Sequence, residues 1–91
     1  MEVYTILTSE AYDYDNNVRV EVYSTKEKAL KEFNELVKIA KDDMGIKYDE
    51  NGKITNEDII EDIDENYYSI YEYGYYSKNH ITIILEMKIV K

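Results

Sequence analysis

Between Ser24 and Gly45 the apolar residues Ala29, Leu30, Phe33, Leu36, Val37, Ala40 and Met44 recur at spacings of three and four. That rhythm commits the stretch to one amphipathic helix of about five turns. A helix with a single apolar stripe is not stable alone and needs a second layer to cover the stripe. Ser24 followed by Glu27 predicts a capping box at its start, with the serine hydroxyl accepting one backbone N–H and the glutamate reaching back to another. Gly45 stands where a terminator belongs.

Strands are the expected cover. Val3 to Thr8 is β-branched and aromatic, with blurred alternation that fits a strand covered on part of both faces. Polar residues follow, and Asp15-Asn16-Asn17 reads as a hairpin connection. From Val18 to Tyr23 the alternation is clean, with Val18, Val20 and Val22 on one side and Arg19, Glu21 and Tyr23 on the other. The last third repeats the pattern: Tyr67 to Tyr73 predicts a third strand, Gly74 a bend, Ser77-Lys78-Asn79 a turn, and His80 to Val90 a fourth strand. In that fourth strand Ile81, Ile83, Leu85, Met87 and Ile89 share a face.

Between the long helix and the third strand, Asn51-Gly52 marks a turn within the connection from Ile46 to Thr55. Thr55 and Asp58 then resemble a second capping signature, and Ile59, Ile60 and Ile63 supply a short stripe for a helix of two to three turns. The expected fold is therefore α+β and a single domain over residues 1–91. Its element order is β-β-α-α-β-β, with a four-stranded antiparallel sheet and the long helix across one face. Val18, Val20, Val22 and the Ile81–Ile89 row are the expected walls of the core, and some tyrosines lie on the opposite face.

Charge narrows the function. Twenty acidic and eleven basic side chains leave a net charge of −9. Nucleic-acid binding draws most of its affinity from Lys and Arg on phosphates, so direct nucleic-acid binding is not expected, nor is binding to an anionic membrane. There is no cysteine for a disulfide or a thiolate metal site, and no apolar run approaches the roughly 20 residues of a membrane span. The opening Met1-Glu2-Val3-Tyr4 does not read as a signal peptide, so a cytoplasmic location is expected.

The negative charge is concentrated. Asp42, Asp43, Asp49, Glu50, Glu57, Asp58, Glu61, Asp62, Asp64 and Glu65 face only Lys47 and Lys53 in the same tract, ten acids against two lysines, a balance of −8. A solvated face is the plain explanation of such a run, but a single-sign field of this kind also attracts basic partners. Tyrosine usage is unusual as well, at eleven with one Phe and no Trp. Tyr67, Tyr71 and Tyr73 would share one strand face, with Tyr68 on the other. Such a face suits either cross-strand packing or an interface. The acidic residues named above, with Tyr67, Tyr71 and Tyr73, are the candidate partner-binding set.

Catalytic and metal chemistry find less support. Aligning Gly52 with the glycine of a calcium-binding loop puts Asp49, Asn51 and Asp58 at ligand positions, but Lys47 then falls where the first oxygen is needed. A polar Asn-Gly turn is the simpler reading, and neither metal nor cofactor is expected. His80 is the only histidine, and no nucleophile elbow or glycine-rich phosphate loop accompanies it. It reads as an incidental surface residue, and the chain is not expected to be an enzyme.

The stretch Val3-Tyr4-Thr5-Ile6-Leu7-Thr8-Ser9, continued by Val20-Glu21-Val22-Tyr23-Ser24-Thr25-Lys26-Glu27-Lys28-Ala29, resembles the opening of many small proteins of phages and mobile elements. Those begin with a "VYxVTS" strand and pass through a "V(F/Y)STxEKA" strand-to-helix junction. The resemblance covers about the first third of the chain and brings no catalytic residues with it. It implies a small acidic inhibitor of host defence, a class that includes anti-CRISPR proteins. The resemblance names no target; the acidic field described above makes the expected partner a basic, nucleic-acid-handling host protein, blocked sterically and electrostatically. The alternative expectation is a homodimer or larger homo-oligomer built on the tyrosine-rich sheet face.

Overall fold

The computed structural model describes residues 1–12, 15–56, 59–73 and 78–89. Two layers make up the fold: one antiparallel sheet of five strands and one helix. The strands are β1 (Glu2–Tyr12), β2 (Asp15–Tyr23), β3 (Ile59–Asp64), β4 (Tyr67–Tyr73) and β5 (Lys78–Ile89), in the order β2-β1-β5-β4-β3. The helix α1 runs from Lys26 to Asp43. The result is a slab of 47 × 34 × 15 Å with a radius of gyration of 14.5 Å, against about 12 Å for a rounded domain of this length. Among the described residues only one face of the sheet is covered, and the slab is thin for that reason. No helix of the described residues is long and apolar enough to cross a membrane.

The expected second helix is a strand, which overturns the four-stranded β-β-α-α-β-β arrangement. Ile59, Ile60 and Ile63 are β-branched and favour extended backbone. A two-residue connection at Glu65-Asn66 folds them back so that Asp64 lies opposite Tyr67 and Ile60 opposite Tyr71. Pairing β3 with β4 satisfies a row of backbone groups that β4 would otherwise leave open at the sheet edge. The supposed cap at Thr55 and Asp58 does not start a helix; Thr55 instead donates its backbone N–H to the Lys47 carbonyl at 2.9 Å, and Asp58 lies outside the described residues.

The long helix forms as its periodicity requires. Ala29, Phe33, Leu36, Ala40 and Met44 are buried, with Leu30 and Val37 packed against them. Its N-cap is Thr25 rather than Ser24: Thr25 is extended, and its hydroxyl accepts the Lys28 N–H at 3.3 Å. The box expected from Ser24 and Glu27 is therefore replaced by a single cap one residue later, because Lys28 has no side-chain acceptor to return the bond. At the other end Gly45, with φ of +63°, donates to the Asp42 carbonyl while Ile46 donates to that of Lys41. This pair of bonds closes the last turn as a Schellman motif, which only a residue at ease with positive φ permits. Asp42 and Asp43 occupy that turn, where the helix already carries partial negative charge.

Register assigns the two faces. Ile6, Thr8, Tyr68, Ile70, Ile81, Ile83 and Leu85 are buried beneath the helix. Ile6 pairs with Leu85, Thr8 with Ile83 and Tyr68 with Ile83, so these side chains share one face across β1, β5 and β4. The expected core row on β5 therefore holds for Ile81, Ile83 and Leu85, whereas Met87 and Ile89 run on past the helix and are exposed. Val18, Val20 and Val22 are not core walls. They are 65%, 58% and 64% exposed, and their partners Ser9, Leu7 and Thr5 place them on the face away from the helix. Arg19, Glu21 and Tyr23 take the helix side instead, where Tyr23 packs against the core margin opposite Tyr4. Asp15 to Asn17, expected as a turn, belong to β2, and Lys78 and Asn79 belong to β5. Gly74 and Ser77 lie outside the described residues.

Candidate functional site

The sheet face away from α1 has no described element over it, and its side chains form ordered rows. Leu7 lies opposite Val20 on one side and Ile84 on the other, Ile84 opposite Tyr67, and Tyr67 opposite Asp64. One apolar row thus crosses four strands and ends in a carboxylate on β3. Beside it Ser9, Thr82 and Ser69 make a row of hydroxyls between Val18 and Asp62. A third row runs from Ala11 through His80 and Tyr71 to Ile60. The central residues Leu7, Ile84 and Tyr67 are half-buried by their neighbours, while Ile60 and the three β2 valines are exposed.

This arrangement divides the acidic tract. Asp62 and Asp64 are exposed on the uncovered face with Tyr67 and Tyr71. Tyr73 takes the same register, opposite Lys78; its side chain lies outside the described residues. Asp42 and Asp43 sit at the end of α1, and Glu65 sits in the turn between β3 and β4. Asp49 turns inward on its own loop, accepting the backbone N–H groups of Asn51 and Lys53 at 2.9 Å each, with Glu50 exposed beside it. Glu57 and Asp58 lie outside the described residues. Among the described residues no group of three or more His, Cys, Asp or Glu is placed to hold a metal ion.

Glu61 goes the other way, onto the helix side of the sheet. Its carboxylate accepts the hydroxyl of Tyr48 at 3.0 Å and that of the buried Tyr68. Lys41 Nζ stands 5.6 Å from the centre of the Tyr48 ring and 5.8 Å from that of Tyr68, within cation–π range of both. Desolvation and the nearby carboxylate push the Tyr48 phenol up to about 12, and the same two causes raise Tyr68 further. The cluster ties the loop after α1 to the edge strand.

His80 is less incidental than its sequence context suggests. Half-buried on the uncovered face, its Nε2 lies 2.6 Å from the Thr82 hydroxyl and 3.2 Å from that of Ser69. The Tyr71 ring meets it edge-on with centroids 6.0 Å apart. Such a patch can present hydroxyls and aromatic edges to another surface. Sequence reasoning missed Leu7, Ile84 and the β2 valines as members of this face. The signal was present in Ile83-Ile84-Leu85, where an apolar residue sits between two core positions and must point away from the core.

Comparison with known protein families, with curated proteins and with solved structures gives no match.

Proposed function

We propose that this chain is a protein-binding module, not an enzyme, that acts by covering a basic surface on a partner protein. The observation that carries this reading is the uncovered row Val20–Leu7–Ile84–Tyr67, which runs into Asp64 with Asp62 beside it. An apolar centre bordered by carboxylates complements a partner that presents an apolar strip next to Lys or Arg. Tyr67 and Tyr71 supply the large amphipathic anchors that interfaces favour. A net charge of −9 draws such a partner in and repels nucleic acid, so a nucleic-acid-handling protein blocked at its basic groove is the partner class that fits. An inhibitor of this kind needs no catalytic group.

Capture by immobilised protein tests the reading. A basic protein held at low salt and released at high salt is expected for the wild type. It is expected to be lost with Val20→Ser/Tyr67→Ala and with Asp62→Asn/Asp64→Asn. Equal capture by all three proteins would remove the sheet face from the mechanism.

One observation favours a second reading. β2 is an edge strand whose Val18, Val20 and Val22 are all exposed, a template for pairing with another copy of the chain. Sedimentation separates the two: a dimer that persists unchanged from low to high salt supports self-association, and a monomer leaves the face free for a partner.

A further inference from the structure

On the helix side of the sheet a cavity of about 260 Å³ opens between the C-terminal half of α1 and strands β1, β2 and β5. Leu36, Ala40, Ile81 and Ile83 give it apolar walls, with the buried Thr8 among them as a hydroxyl-bearing member. Ile39, half exposed, stands at the mouth with Glu10, Arg19 and Asp43. The volume lies below the roughly 300–1,000 Å³ of drug-sized sites and suits a chain of a few carbons.

The mouth is negative. Arg19 is engaged by Glu21, with Nε 3.5 Å from the carboxylate, whereas neither Glu10 nor Asp43 forms an ion pair among the described residues. Asp43 is also the last residue of α1, at the negative end of the helix dipole, which already favours a cation. A carboxylate there works against the helix itself. A residue that breaks a local rule with no local gain marks a place where another requirement is met.

We propose that this cavity binds a primary alkylammonium group, either the end of a partner's lysine side chain or a free aliphatic amine. The methylenes lie against Leu36, Ile81 and Ile83, and the charged head sits at the mouth between Glu10 and Asp43, with the Thr8 hydroxyl as a further acceptor. The site is on the other side of the sheet from the face assigned above and stands independently of that assignment.

Methyl NMR of the isoleucines, titrated with n-butylammonium, tests it. Saturable shifts of the Ile39, Ile81 and Ile83 methyls are expected, with Ile60 on the far face unmoved. Glu10→Gln/Asp43→Asn is expected to weaken binding about tenfold, from about 0.7 kcal/mol for each exposed charge removed. Unchanged methyl positions of Ile6 and Ile70 in that variant show that it is folded. N-acetyl-lysine methylamide binding more tightly than butylammonium assigns the site to a partner's lysine, and the reverse assigns it to a free amine. The proposal is overturned if the three methyls do not move, if n-butanol binds as well as butylammonium, or if the double variant binds like the wild type.

Discussion

The hydroxyl of Tyr68 donates to the carboxylate of Glu61, seven residues earlier and one strand away. Tyr68 is only 1% exposed, so its phenol has been taken out of water and depends on that acceptor. Glu61→Ala would leave the hydroxyl buried without a partner, at a cost of about 1–3 kcal/mol. Glu61→Gln keeps an acceptor oxygen and is expected to cost less. Urea unfolding of the two variants checks the difference, and equal losses would mean that the bond contributes little.

Alkaline pH should reach the same cluster from the other side. Burial first, and then Glu61, hold the Tyr48 and Tyr68 phenols in their protonated form, while burial and Glu21 do the same for Tyr23. The protonated phenol is the form the fold favours. Its contribution is whole below the unfolded value of about 10 and falls away as the pH rises from there through about 12, the folded value for Tyr48. Unfolding midpoints should therefore decline above about pH 10. In an absorbance titration, the phenols of Tyr23, Tyr48 and Tyr68 should ionise only at the alkaline end. A single uniform transition near the ordinary value would contradict this.

The two hydroxyls before α1 should separate cleanly. Thr25 caps the helix through the Lys28 N–H, so Thr25→Ala is expected to cost about 1 kcal/mol. Ser24→Ala should change stability by less than about 0.5 kcal/mol, as surface substitutions do. Thermal melts of the pair decide between them.

Opposite faces of the sheet should respond very differently to truncation. Ile83→Ala opens a hole beneath the helix and is expected to cost about 2–5 kcal/mol. Val20→Ala removes atoms that are already in water and should cost less than about 0.5 kcal/mol. Denaturant midpoints give both values, and a large loss at Val20 would place the core on the wrong side of β2.

That last contrast shows where the sequence was legible. The helix was readable because its stripe has one period and one face, and Ile81, Ile83 and Leu85 because they alternate toward it. β2 alternates just as cleanly, yet alternation fixes only that its two sides differ. Which side meets the core depends on pairing with β1, where Leu7 rather than Ile6 lies opposite Val20. β3 was misread for a related reason. Isoleucines at 59, 60 and 63 fit a short helix and a strand alike, and the pairing partner that decides between them arrives only with Tyr67–Tyr73. The proposed binding face was half legible: Tyr67 and Tyr71 were placed together, while the acidic residues of β3 divide between both sides of the sheet because β3 alternates.

β1 is paired along its whole length with β5, so Glu2 lies opposite Ile89 at the middle of the sheet. During synthesis the first strand must wait for the last. Until Ile81, Ile83 and Leu85 have left the ribosome, α1 can rest only on the β1–β2 hairpin, and Ile6 lacks its β5 neighbour Leu85. Closing so long a loop is slow compared with forming a local hairpin. A nascent or truncated chain lacking β5 would therefore show part of its apolar stripe to chaperones and to other copies of itself.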